Sequence, residues 1–176
     1  WRGIPYAQPL DECRRFSPPQ PAETWNGILS AKEFSGICPQ RSLLRKRVSW
    51  ESLTLNIWSP APDSKRRPVL FFIHGGSFKH GAGSESYYNG AYLARTWDIV
   101  VVSCNYRLGV YGFLDFSVLD SYFSSNNGVR DVIAALRWIN HAIADFGGDP
   151  ELVTIVGQSA GATMVSALVT MGNIRP

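Results

Sequence analysis

The sequence predicts an α/β fold built on a mostly parallel central sheet flanked by helices, with its functional loops at the carboxyl ends of the strands. Three observations carry this. Pro68-Val69-Leu70-Phe71-Phe72-Ile73 is a near-continuous apolar run, the signature of a parallel strand buried on both faces. Val153-Thr154-Ile155-Val156 is β-branched and reads as a short buried strand; after it, Met164, Val165, Leu168 and Met171 recur at helical spacing. Between the two, Val132, Ala135, Leu136, Ile139 and Ile143 fall on one face of a helix opened by Asn126-Asn127-Gly128. Strands alternating with helices imply right-handed crossovers, and such sheets hold their sites beyond the strands' carboxyl ends.

In chain order, residues 1–52 are proline-rich, aromatic and loop-like. Leu53, Leu55 and Ile57 alternate with Thr54, Asn56 and Trp58, predicting a half-buried strand. Three prolines and four charges in residues 59–68 make a turn before the apolar strand. A glycine loop, a polar stretch at 84–89 and a short helix near 91–95 follow, then a strand at 99–104. Residues 105–127 form a long connection, functional or packing in nature. Gly147-Gly148 end the long helix, and Asp149-Pro150 lead into the last strand.

Composition narrows the function classes. A chain of 176 residues with 45% hydrophobic residues can bury a core, and no apolar run approaches membrane-spanning length. The net charge is +3. The basic clusters (Arg41, Arg45, Lys46 and Arg47; Lys65-Arg66-Arg67) lie in aperiodic stretches, where they are expected to solvate loops. They lack the aromatic interleaving of a nucleic-acid face, so no nucleic-acid partner is expected. Three cysteines cannot all pair within the chain. Cys104 follows an apolar strand and reads as a buried small hydrophobe, while Cys13 and Cys38 either bridge or stay free. No Asn-x-Ser/Thr sequon is present, and secreted and cytoplasmic settings both remain open.

Two loops carry chemistry. Gly157-Gln158-Ser159-Ala160-Gly161 joins the last strand to the last helix. A serine at such a corner is held on a strained turn, with flanking glycines avoiding Cβ clashes and a helix N-terminus facing any developing oxyanion. The bland alternative is a serine that merely caps a helix. His74-Gly75-Gly76-Ser77-Phe78 follows the apolar strand, with Gly81 and Gly83 beyond. Its glycines free backbone N–H groups from a sheet ladder, as acyl transfer needs, because the tetrahedral intermediate carries its charge on oxygen.

With both loops in hand, the chain resembles the type B carboxylesterase/cholinesterase family of α/β-hydrolases. The likeness spans nearly the whole chain, from Gly3-Ile4-Pro5-Tyr6-Ala7-Gln8-Pro9 through Arg15-Phe16-Ser17-Pro18-Pro19, Trp25-Asn26-Gly27 and Leu53-Thr54-Leu55-Asn56-Ile57-Trp58. It continues through the His-Gly-Gly loop, Asn105-Tyr106-Arg107-Leu108-Gly109, Gly112-Phe113 and Ala135-Leu136-Arg137-Trp138-Ile139 to Phe146-Gly147-Gly148-Asp149-Pro150 and the serine turn. The resemblance implies an α/β-hydrolase fold, with residues 1–176 as the N-terminal portion of one domain. It implies a serine carboxylic-ester hydrolase with Ser159 as nucleophile and the N–H groups of Gly76, Ser77 and Ala160 as oxyanion donors. Gly75 would be the hinge before that hole, Phe78 would line the acyl side, and Gln158 would sit beside the nucleophile. His74 is structural in this pattern, and neither His80 nor His141 matches a catalytic motif. No cofactor or metal is expected, and a small, fairly apolar acyl or aryl ester is the default substrate.

The chain departs from the pattern in four places. The family's acid and histidine follow the serine and are expected beyond Pro176, so the chain alone is expected to have little triad-dependent turnover. Gln158 stands where the family usually has Glu, which weakens any preference for cationic substrates. The family's Ser-Glu-Asp-Cys reads Ser49-Trp50-Glu51-Ser52, removing the expected partner of Cys38 and a carboxylate for Arg15. Only thirteen residues separate Cys38 from Ser52, too few for the cholinesterase loop that receives choline, so acetylcholine is disfavoured. The rival readings are a catalytically inactive cholinesterase-like adhesion module and a truncated product.

Overall fold

The computed structural model describes residues 1–12, 14–41 and 47–172. The strands are β1 (Ile4–Pro5), β2 (Thr54–Trp58), β3 (Arg67–Ile73), β4 (Val100–Cys104) and β5 (Gly148–Gly157). The helices are α1 (Ala91–Trp97), α2 (Gly109–Phe113), α3 (Asn127–Ala142) and α4 (Ala160–Thr170), with 3₁₀ turns at Ser86–Tyr88 and Ile143–Phe146. One sheet runs in the order β1-β2-β4-β3-β5. β3 is parallel to both neighbours, pairing Phe71 with Val102 and with Ile155. β2 is antiparallel to β1 and β4, so it alone opposes the direction of the others. The sheet is therefore mostly parallel, as expected.

β3 lies between β4 and β5, which brings the loops after β3 and β5 side by side at one end of the sheet. Val69, Phe71 and Ile73 of β3 join Val100, Val102 and Cys104 of β4 and Leu55 and Ile57 of β2 in one apolar cluster. Val132, Ala135, Leu136 and Ile139 of α3 and Met164 and Leu168 of α4 close over it, so the helical periodicities read from the sequence become the core faces.

Several expectations need correction. β3 alternates: Leu70 and Phe72 are only half-buried, with Phe72 packed at a tilt against Tyr88 (4.6 Å between ring centroids). β2 is buried on both faces rather than one, because its polar residues are bonded inside. Thr54 Oγ1 lies 2.6 Å from Ser35 Oγ, and Asn56 Nδ2 donates to Ser103 Oγ at 3.2 Å. β5 starts at Gly148, five residues before the predicted strand, and is half-exposed because, among the described residues, it pairs with β3 alone. Pro150 fits there, since an outermost strand leaves backbone positions with no ladder bond to donate. Met171 caps α4 and is exposed.

The Lys65-Arg66-Arg67 cluster does not simply solvate a loop. Arg67 is 4% exposed and binds Asp63 and Asp98, its Nε 2.6 Å from Asp98, while Arg66 reaches Asp149 at 2.6 Å. Arg45 and Lys46 of the other cluster lie outside the described residues, as does Cys13. Cys38 is a free, buried thiol that accepts a hydrogen bond from Ser52 Oγ at 3.2 Å, and burial pushes its pKa up to about 12. Cys104 is buried as expected, and desolvation raises its thiol well above the usual range. Where the family pattern offers Arg15 a carboxylate, Trp50 offers a ring: the guanidinium sits 4.8 Å above it.

The connection at 105–127 is a packing element. Arg107 and Asp131 are both fully buried and meet as a fork, with Nε and Nη2 at 2.8 and 2.6 Å from the two carboxylate oxygens. The Arg107 N–H adds a third bond to the same carboxylate at 2.9 Å, and Nη1 donates to the Ser17 carbonyl at 2.6 Å. Phe16 then stacks among Tyr111, Phe116 and Phe123.

Asp131→Ala is expected to destabilise the fold by roughly 3–5 kcal/mol, since it leaves a buried guanidinium uncompensated. Replacing both partners with apolar residues of similar volume costs much less, and urea denaturation of the three proteins compares them. The Arg67 guanidinium holds the Asp63 carboxyl down at about 2, below its ordinary 3.8. A carboxyl depressed by folding adds stability above its unfolded pKa and loses it as pH falls through the folded one. Melting temperatures followed from pH 5 to 2 are expected to fall less steeply for Asp63→Asn than for the parent.

Candidate active site

β5 ends at Gly157 and α4 begins at Ala160, so Gln158 and Ser159 alone turn the chain from strand to helix. Ser159 adopts φ 55° and ψ −120°, a conformation that L-residues rarely populate and that costs of order 1–3 kcal/mol. The surroundings enforce it. The turn presses against the end of β3: a Cβ on Gly161 would overlap the Ile73 carbonyl and lie 2.8 Å from that of His74. On the other side, a Cβ on Gly157 would overlap the Gly161 carbonyl. The Ser159 carbonyl accepts the N–H groups of Ala162 (2.8 Å) and Thr163 (3.1 Å), which starts α4 at the serine itself. The positive end of the α4 dipole faces the same point.

The loop after β3 is anchored at every step. The Tyr106 hydroxyl donates to the His74 carbonyl at 2.7 Å, and burial raises its pKa so that it stays a neutral donor. His74 is buried and stacks on Tyr106 at 4.3 Å, with Nδ1 2.8 Å from the Gly75 carbonyl oxygen. Ser77 and Phe78 both carry positive φ, 54° and 59°. The Lys79 and His80 N–H groups close a tight turn on the Gly76 carbonyl (2.9 and 3.1 Å), and the Gly109 N–H holds the Phe78 carbonyl at 2.7 Å. Gln40 grips the far side, accepting from the Gly81 N–H (2.8 Å) and donating to the Gly81 carbonyl (2.9 Å).

Loop and turn meet at Gly75. A Cβ there would overlap the Gln158 side chain and sit 3.1 Å from the Ser159 Cβ. Gly75, Gly76, Ser77, Gln158 and Ser159 line one open cleft of about 470 Å³, together with His80, Gly81, Glu85, Tyr87 and Tyr88. Ala160 is buried in the first turn of α4, next to the serine. Among the described residues, no protein group accepts from the N–H of Gly76, Ser77 or Ala160. Phe78 is not among the cleft's lining residues: it packs against Phe113 at 4.8 Å. His141 is exposed in the last turn of α3.

A roomier cavity of about 580 Å³ lies elsewhere, lined by Pro5, Arg14, Trp25, Leu29 and Leu53 among others. Its Ser35 and Thr54 hydroxyls are spent on each other, and it holds no strained nucleophile, so chemistry rather than volume selects the smaller cleft. Among the described residues no cluster of His, Cys, Asp or Glu is placed to hold a metal ion, and no helix is long and apolar enough to cross a membrane. Sequence reasoning missed Gln40, Tyr88 and Tyr106. The aromatic doublet Tyr87-Tyr88 inside a polar stretch was a usable signal; Gln40, in an aperiodic segment, offered none.

Comparison with known proteins agrees with this architecture. The model of the carboxylesterase family matches residues 1–174, and the chain belongs to that family. It is 44% identical over 178 residues to the para-nitrobenzyl esterase of Bacillus subtilis (strain 168), an alignment covering 97% of this chain and 36% of that protein. It is 43% identical to human carboxylesterase 3, covering 95% of this chain and 31% of that one. The solved structure of a PNB esterase superposes with a TM-score of 0.91 at 46% identity, over 96% of this chain and 36% of that one. A Geobacillus stearothermophilus carboxylesterase gives 0.93 at 46% identity, with 97% and 36% covered. The fold is that of the α/β-hydrolases, and the chain spans about a third of the length of the curated relatives it matches.

Gly161→Ala is expected to destabilise the fold by about 1–3 kcal/mol, because the added methyl meets backbone that cannot yield. Chemical denaturation of the variant and the parent measures the loss.

Proposed function

We propose that this chain carries the nucleophile and oxyanion donors of a serine carboxylic-ester hydrolase, as the N-terminal portion of a single α/β-hydrolase domain. One observation carries the reading: Ser159 holds a strained backbone at the start of α4, in the same cleft as Gly76 and Ser77. A helix-capping serine needs no such strain, and Ser159 makes no side-chain cap bond. The names of the relatives, para-nitrobenzyl esterase and carboxylesterase, point the same way.

In this reading, Ser159 Oγ attacks the ester carbonyl carbon as its proton passes to a histidine base. The carbonyl oxygen becomes an oxyanion received by the N–H groups of Gly76, Ser77 and Ala160. Collapse expels the alcohol, which takes the proton from the imidazolium and leaves an acyl-Ser159 ester. Water, deprotonated by the same base, repeats the attack and releases the acid. The base and its orienting acid are assigned to sequence beyond residue 176, in the order Ser, Asp/Glu, His. Phe78, paired with Phe113 directly after the oxyanion loop, is assigned to the acyl side. Gln158 sets a neutral amide beside the serine where the family usually has a carboxylate, which favours a fairly apolar acyl or aryl ester over a cationic one.

In the complete polypeptide carrying this chain, Ser159→Ala is expected to lower kcat for a p-nitrophenyl ester by roughly 10⁴-fold or more. Retention of the rate would overturn the reading. The isolated chain is expected to show little turnover; rapid Ser159-dependent hydrolysis by it would instead move the base to His80, which lines the same cleft.

A further inference from the structure

We propose that Tyr88 is a positioning residue which, together with Gln158, clamps the oxyanion loop onto the nucleophile turn; this rests on the reading of Ser159 and Gly76 given above. Tyr88 lies in the 3₁₀ turn Ser86–Tyr88, seventy residues from the serine turn in sequence. Its ring is fixed from two sides, by Phe72 near the end of β3 (4.6 Å) and by Tyr87 (4.3 Å). The hydroxyl then works in both directions. It accepts from the Gly75 N–H at 3.4 Å and donates to Gln158 Oε1 at 3.2 Å. Gly75 and the Gln158 side chain are packed so closely that a Cβ on the glycine would overlap Oε1.

Loop, tyrosine and turn thus form one closed circuit around Gly75. The consequence for the oxyanion follows from peptide geometry. The Gly75 N–H is held by Tyr88, and the Gly75 carbonyl is held by His74 Nδ1 at 2.8 Å. With both flanking peptide groups tethered, the plane joining Gly75 to Gly76 is fixed. The Gly76 N–H lies trans to the tethered carbonyl and points the opposite way. Tyr88 therefore acts on the oxyanion donors through Gly75, without being one of them. Gln158 suits the circuit because its amide oxygen accepts a hydrogen bond and carries no charge that changes with pH. A small displacement of such donors is costly, since oxyanion stabilisation depends on donors already aimed at the developing charge.

The test uses steady-state and burst kinetics with a p-nitrophenyl ester in the complete polypeptide carrying this chain. Tyr88→Phe keeps the ring on Phe72 and deletes only the hydroxyl. It is expected to lower kcat about tenfold with KM within about twofold, and to leave the melting temperature almost unchanged. Gln158→Leu is expected to give a loss of similar size. The double variant is expected to be no worse than the poorer single, because each change breaks the same circuit. The proposal is overturned if Tyr88→Phe keeps kcat within twofold, if the two losses multiply to about a hundredfold, or if activity falls only in step with loss of folded protein. Ser159→Ala separates the two levels. If it abolishes the burst while Tyr88→Phe is silent, the clamp alone fails; if it leaves the burst intact, the nucleophile reading fails and the clamp falls with it.

Discussion

The buried pair of Arg107 and Asp131 is the interaction on which the rest of the structure hangs. Neither side chain is exposed, and the guanidinium spends its donors on one carboxylate and on the carbonyls of Arg14, Arg15 and Ser17. Three stretches distant in sequence are thereby tied at one point: the loop-rich N-terminal segment, the connection leaving β4, and the long helix α3. An ion pair removed from water is a poor source of net stability. Its value lies in geometry, because a fork with two parallel bonds admits one relative placement of the elements that carry it. The connection held there also delivers Tyr106 and Gly109, which in turn hold His74 and Phe78.

The candidate site is made largely of backbone. In the proposed reading Ser159 is the nucleophile, and the oxyanion donors assigned above are main-chain N–H groups. Such a site cannot be tuned by changing a side chain at the donor; it is tuned by whatever fixes the peptide planes. That explains why the surrounding anchors (Gln40, Tyr88, Tyr106 and the carbonyls at the end of β3) are so numerous for so short a loop. The strain at Ser159 fits the same logic, since contacts on both sides of the turn leave the residue no relaxed alternative.

The parts legible in the sequence are those set by local pattern. Apolar runs, helical spacing and glycine pairs announce β3, α3 and the two loops, and the order of those elements implies that the loops share one end of the sheet. What escaped was set by tertiary contact. Thr54 and Asn56 looked solvent-facing because polar residues alternate with apolar ones, yet each finds a polar partner inside. Arg67 looked like part of a solvated basic run until Asp63 and Asp98 closed on it. The half-exposure of β5 depends on sheet order, which no local window contains. Gln40 and Tyr88 act on a loop dozens of residues away, and only the fold brings them there.

The contact between Ser52 and Cys38 has a consequence for evolution rather than for architecture. The two side-chain tips rest 3.2 Å apart, buried, across a segment of thirteen intervening residues. A hydroxyl and a thiol differ by a single atom, so this site is one atom away from a covalent crosslink, with about one ångström left to close before sulfur meets sulfur at bonding distance. Closing a loop of about fifteen residues constrains the unfolded chain by roughly 3 kcal/mol in the chain-entropy view. The oxygen at position 52 leaves this contact indifferent to the redox state of its surroundings, whereas a lineage that acquired sulfur there would exchange that independence for a staple that holds only where oxidation is maintained.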